Sequence, residues 1–111
     1  MTIQEIKDRW KPSVKNSHSA VEWWNSKATA FASKDIPTAE NSLAMRLILD
    51  NQMIQRGQTA LDVGCGSGRF SFALEQIGAY VTGTDFSSRM IEECEKAKNT
   101  HASLAEFHVH D

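Results

Sequence analysis

The sequence predicts an α/β protein: a helical N-terminal segment over residues 1–57, then a parallel β-α-β-α-β series over 58–111. Three observations carry this prediction. A short apolar run, Ala60, Leu61 and Val63, suits a buried strand. Three glycines follow at alternate positions, Gly64, Gly66 and Gly68, and Phe70, Ala73, Leu74 and Ile77 then recur at helical spacing. Strand-like and helix-like patterns keep alternating to the last residue, which implies helix-linked parallel strands with right-handed crossovers.

The 111 residues fit one small domain. With 41% apolar and 23% charged residues the composition is globular, and a net charge of −2 offers nucleic acid no electrostatic footprint. No apolar stretch approaches the length of a bilayer span. Residues 1–20 lack the apolar central region of a signal peptide. The two cysteines, Cys65 and Cys94, form no C-x-x-C pair, so a reduced, cytoplasmic setting without a disulfide is expected.

In chain order, Ile3, Ile6 and Trp10 suit a short helix that Pro12 ends. A helix is expected from Ser19 to about Ser33, with Val21, Trp24, Ala28 and Phe31 on one face. After Asp35-Ile-Pro, Thr38 is expected to cap a helix from about Ala39 to Gln55 with Ala44, Leu47, Ile48 and Asn51 on one face. Strand 59–63 leads through the glycine loop into helix 68–77, which Gly78 ends. Residues 79–84 form a β-branched and aromatic strand. Ser87 then caps a helix carrying Met90, Ile91, Cys94 and Ala97, residues 99–101 form a loop, and 105–109 form a third strand.

The glycine loop carries the chemistry. Strand, glycine loop and helix together deliver a ligand to a helix N-terminus, where free N–H groups favour a polar or negative group. Asp85 lies 21 residues after Gly64, at the end of the next strand, an offset at which an acid commonly takes the ribose hydroxyls of a nucleoside. Its alternative role is only to cap the following helix. A dinucleotide fingerprint wants G-x-G-x-x-G, but here Arg69 holds the third glycine's position and Gly68 comes one residue early. Asp62 stands just ahead of the loop, where it repels a pyrophosphate and suits the ammonium of an amino acid.

These residues resemble a known family. The run Leu61–Phe70 (LDVGCGSGRF) resembles motif I of the class I S-adenosylmethionine-dependent methyltransferases. Val81–Met90 (VTGTDFSSRM) resembles their second-strand motif, and Phe107–Asp111 (FHVHD) their third-strand motif. Trp24–Phe31 (WNSKATAF) is similar to an N-terminal segment of many small-molecule methyltransferases. The resemblance implies a Rossmann-like fold and S-adenosyl-L-methionine as cofactor. It implies that Gly64, Cys65 and Gly66, within the loop that runs on through Ser67 and Gly68, line the methionine part, with Asp62 at its ammonium. It implies Asp85 on the ribose, Phe86 and Met90 flanking the adenine, and Asp111 at the adenine amino group with His110 beside it. Arg46, Trp24 and Phe31 are expected to cover the cofactor from the helical side.

Other features are discounted. Cys65 has no neighbouring base in sequence to make it a nucleophile. His108 and His110 alternate on one strand face, but no third ligand completes a metal motif. Trp10, Trp23 and Trp24 are expected to pack rather than to form a ligand cage. The family's sheet has seven strands, so the resemblance implies a chain truncated after its third. A fragment of a longer enzyme is the expectation, beside early termination and edge-to-edge pairing with a second copy. The acceptor is expected to be a small molecule. The rival readings are half of a nicotinamide-dependent oxidoreductase and a non-catalytic assembly module.

Overall fold

A computed structural model describes residues 2, 3, 5 and 17–110. The helix expected around Trp10 and the acid Asp111 lie outside the described residues. The chain forms α1 (Ser17–Ala32), α2 (Leu43–Asp50), β1 (Thr59–Val63), α3 (Arg69–Ile77), β2 (Tyr80–Asp85), α4 (Ser88–His101) and β3 (Glu106–Val109). The three strands are parallel in the order β1-β2-β3. The expected α/β architecture, N-terminal helices before a β-α-β-α-β series, is the one observed.

One sheet face is covered and the other is bare. On the covered face Val81 and Phe107 meet Phe72, Ala73 and Leu74 of α3 and Ile91 and Cys94 of α4, and all of these are buried. Strand alternation sends Leu61, Val63 and Tyr80 to the opposite face, where they are 65%, 76% and 66% exposed. Among the described residues β1, the strand that leads into the glycine loop, pairs with β2 alone.

Local signals set the ends of the α/β half. Gly78 takes a left-handed φ of 106° and returns its N–H to the Glu75 and Leu74 carbonyls, closing α3. The Ser87 hydroxyl accepts from Met90 N and caps α4. α4 nevertheless runs through residues 99–101, expected as loop, and closes only where Ala102 turns left-handed at φ 52°.

The N-terminal half departs further. α1 buries the expected face: Ala28 is fully buried, and Val21, Trp24 and Phe31 are partly so. Trp23, expected to pack, is 51% exposed and meets Trp24 edge-on. α2 is two turns instead of the helix expected over 39–55. Its cap is Ser42, because Thr38 is engaged in a reciprocal turn in which its N–H donates to Asn41 Oδ1 and its hydroxyl accepts from Asn41 N. The buried face of α2 is Met45 with Ile48, not Ala44 and Leu47, because two turns leave room for one i, i+3 contact with the core.

Gly83, mid-strand in β2, is held by sterics. A Cβ there would lie 2.8 Å from Phe107 Cδ1 and 3.0 Å from Cys65 Sγ. Gly83→Ala is therefore expected to destabilise by about 1–3 kcal/mol through overpacking. For a chain of this size each kcal/mol lowers the melting temperature by roughly 4–8 °C. Thermal unfolding followed by circular dichroism checks this, with Thr82→Ala on the bare face as the near-neutral control.

Candidate functional site

The glycine loop leaves the carboxyl end of β1 and is tied to β2 at both of its levels. Cys65 N donates to the Thr84 carbonyl at 2.8 Å, and Gly66 N donates to Asp85 Oδ2 at 2.9 Å. The Gly66 carbonyl in turn accepts from Cys94 Sγ at 3.1 Å. Gly66 has φ 57°, a left-handed conformation that a Cβ penalises, and a Cβ built on it would meet nothing within 4 Å. The loop therefore presents bare backbone to open space.

That space is a cleft of ≈ 300 Å³. Its floor is Asp62 and the loop from Gly64 to Ser67, Trp24 and Phe31 of α1 form one wall, and Arg69 and Phe70 of α3 with Met90 of α4 complete it. Trp24 and Phe31 lie about two helical turns apart with ring centroids 5.4 Å apart. Arg69 Nη1 donates to the Asp35 carbonyl at 3.1 Å, which ties the interhelical segment to the site. A larger hollow of ≈ 610 Å³ opens by Thr59, Tyr80 and Glu106, at the amino ends of the strands. It has no glycine loop, and ligands of parallel α/β sheets bind at the carboxyl ends.

Two acids meet the loop with different partners. Asp62 accepts from the buried Ser71 hydroxyl at 2.8 Å. Burial pushes its carboxyl above the usual range, the Ser71 bond opposes this, and the nearby Asp85 charge adds to it. A cation beside Asp62 would relieve both burial and repulsion. Asp85 accepts from Gly66 N at Oδ2 and from Ser87 N at Oδ1, both at 2.9 Å. Each of its oxygens keeps a further lone pair.

The cysteines behave as packing groups. Hydrogen bonding with Cys65, then burial, pushes the Cys94 thiol far above its usual range, which keeps it protonated and unreactive. Both thiols are free and buried. Among the described residues no group of three or more His, Cys, Asp or Glu side chains could hold a metal. His108 lies exposed, its Nε2 3.7 Å from Glu106 Oε2.

The structure thus brings Asp62, Gly64, Cys65, Gly66, Ser67 and Met90 to one cleft. Gly68 is instead turned inward, where a Cβ would lie 3.1–3.3 Å from Cys94, Phe72 and Phe107. Asp85 stands one hydrogen bond behind the floor, and Phe86 and His110 do not line the cleft, although His110 N donates to the Asp85 carbonyl at 2.8 Å. Of the expected covering residues, Trp24 and Phe31 line the cleft. Arg46 does not, because its guanidinium is turned onto the Ala39 carbonyl. Arg69 and Phe70 are cleft residues that spacing alone left in the helix pattern.

Comparison with known proteins agrees with this geometry. A family model described as a methyltransferase domain matches residues 60–111. Ubiquinone biosynthesis O-methyltransferase of Coxiella burnetii is 34% identical over 109 residues, 98% of this chain and 43% of that protein. Ribosomal protein L11 methyltransferase of Helicobacter hepaticus is 37% identical over 91 residues, 82% of this chain and 27% of that protein. The crystal structure of magnesium protoporphyrin IX methyltransferase from Synechocystis PCC 6803 with bound SAM superposes with a TM-score of 0.51 at 26% identity, over 60% of this chain and 33% of that one. The chain spans less than half the length of these curated relatives. With the glycine loop, the acid that ends β2 and the sheet order in place, residues 60–111 carry a methyltransferase domain like that of the class I S-adenosylmethionine-dependent methyltransferases.

Proposed function

We propose that residues 58–111 are the cofactor-binding part of a methyltransferase that uses S-adenosyl-L-methionine, that α1 of the N-terminal segment covers the site, and that the acceptor is a small molecule. The observation that carries this is Asp62 on the floor of a cleft beside the Gly64–Ser67 loop, with Trp24 and Phe31 forming one wall.

The residues fit the cofactor's chemistry. Asp62 suits the ammonium of its methionine part, and the backbone from Gly64 to Gly68 follows that part. Asp85 takes the ribose diol with its free lone pairs, Phe86 and Met90 flank the adenine, and Asp111 meets the adenine amino group with His110 beside it. When bound, the cofactor supplies an activated methyl group on a sulfonium for in-line displacement. This chain then has to bind, orient and exclude water, which Trp24, Phe31 and Phe70 do by closing an apolar wall over the polar floor. A net charge of −2 and that wall favour a small acceptor over nucleic acid. No described helix is long and apolar enough to cross a membrane, and the two free thiols accord with a cytoplasmic setting.

Asp62→Asn tests the ammonium role. The amide still accepts from Ser71 but loses the charge. A charge-assisted hydrogen bond contributes about 1.5–3 kcal/mol, so S-adenosylhomocysteine is expected to bind roughly 10- to 150-fold more weakly by calorimetry. Stability should move the other way. A carboxyl whose folded pKa is raised binds its proton more tightly in the folded state, so wild-type stability falls as pH rises from the unfolded value toward the folded one. Above that window Asp62→Asn should melt no lower than wild type. Equal affinity of the two proteins would remove Asp62 from the site.

A second reading rests on the bare sheet face. Leu61, Val63 and Tyr80 beside the free edge of β1 suit self-association, which sedimentation at increasing concentration would detect.

A further inference from the structure

Asn25 stands next to Trp24 in the middle of α1, a position where asparagine is a poor helix former. Its side chain works at another element. Asn25 Oδ1 accepts from the Ser87 hydroxyl and from Arg89 N, the latter at 3.3 Å, across 62 and 64 residues of chain. Both donors belong to the start of α4, where the first-turn N–H groups have no partner within the helix. Ser87 is fully buried and already accepts from Met90 N at 3.2 Å, so its hydroxyl is used in both directions.

The contact continues inward. Ser87 N donates to Asp85 Oδ1, and Asp85 Oδ2 accepts from Gly66 N. A line of hydrogen bonds therefore runs from α1, through the cap of α4 and the acid that ends β2, to the glycine loop. The same α1 holds Trp24 and Phe31 over the cleft.

We propose that Asn25 is a positioning residue of the cofactor site: through Ser87 it fixes the carboxylate of Asp85 and latches α1 over the cleft, so that seating α1 and binding the nucleoside reinforce each other. Asn25 does not line the cleft; it acts through Ser87. The coupling is reciprocal, because whatever α1 contributes to ligand affinity the ligand returns to the seating of α1. This inference rests on the cofactor reading above.

The test is calorimetric titration of S-adenosylhomocysteine into wild type, Asn25→Leu, Asn25→Ala and Asn25→Asp, with the melting temperature of each measured with and without ligand. Leucine keeps the bulk and removes the acceptor. Alanine adds no bulk at the α1–α4 contact and covers the case in which leucine does not fold. Aspartate keeps the acceptor at a helix N-terminus, where a negative charge is favoured. Losing the acceptor of a buried hydroxyl is expected to weaken ligand binding by about 10-fold in Asn25→Leu and Asn25→Ala. Asn25→Asp should stay within about threefold of wild type, and the ligand-induced rise in melting temperature should shrink for leucine and alanine alone. Wild-type affinity in a destabilised Asn25→Leu or Asn25→Ala would make Asn25 a structural residue and overturn the inference. Equal weakening in all three variants would overturn it too, because the acceptor would not be the cause. No binding by wild type would overturn the cofactor reading itself, and the inference with it.

Discussion

Asp85→Ala is expected to abolish measurable binding of S-adenosylhomocysteine and to lower the melting temperature in the same protein. The carboxylate is a junction. One oxygen holds the Gly66 N–H and the other the Ser87 N–H, each at 2.9 Å. Alanine leaves both donors without a partner, and a buried donor left unpaired costs about 1–3 kcal/mol. On the proposed reading the ribose diol adds two charge-assisted hydrogen bonds at about 1.5–3 kcal/mol each, so affinity should fall by more than about 100-fold. Asp85→Asn is the informative companion. Its amide nitrogen faces an N–H that needs an acceptor, so it should recover only part of either loss. His108→Ala, on the exposed side of β3, should change affinity by less than about twofold. Calorimetry on the three variants reads these outcomes, and a loss in His108→Ala equal to that in Asp85→Ala would move the site elsewhere.

The second large effect is expected from Gly66→Val. At φ 57° a β-branched residue is forced into the left-handed region, at a cost of roughly 1–2 kcal/mol. The added atoms meet no protein, because a Cβ at Gly66 has nothing within 4 Å. They fill the cleft instead. Stability should therefore drop modestly while ligand affinity drops beyond about 100-fold, the cost of losing both the space and the Gly66–Asp85 alignment. Gly83→Ala predicts the opposite balance, a clear loss of stability from its clash with Phe107. The two glycines thus separate a residue that shapes the ligand's space from one that shapes the core, and paired melting and binding curves distinguish them.

What the sequence made legible follows from how local each signal is. Apolar Ala60, Leu61 and Val63, the alternate glycines and the stop at Gly78 place β1, the loop and α3 within a residue of where they lie, because each rests on its immediate neighbours. The Ser87 cap was readable for the same reason. α2 was not. Thr38 looked like a cap, but its hydroxyl and N–H are used by Asn41, and the helix waits for Ser42. Residues 99–101 read as a loop from their polarity and poor propensity, yet α4 continues because Ala102 accepts a left-handed turn and Ser103 N bonds back to the Lys98 carbonyl.

The same division runs through the cleft. Its floor is contiguous in sequence, so Asp62 and the loop could be named from spacing. Its walls are tertiary. Arg69 reaches Asp35 across 34 residues, and Asn25 reaches Ser87 across 62. Neither pairing leaves a periodic trace in the chain. The exposed Leu61 and Val63 are the converse case: their apolar run reads correctly as strand but not as a buried one, because nothing among the described residues covers the face they point to.

The measurement that tests the central claim most directly is calorimetric titration of the 111-residue chain with S-adenosylhomocysteine and, separately, with oxidised nicotinamide dinucleotide. The account predicts saturable one-to-one binding of S-adenosylhomocysteine, weakened by Asp62→Asn, and no heat from the dinucleotide. Binding of the dinucleotide, or a folded chain that takes up neither ligand, would contradict it.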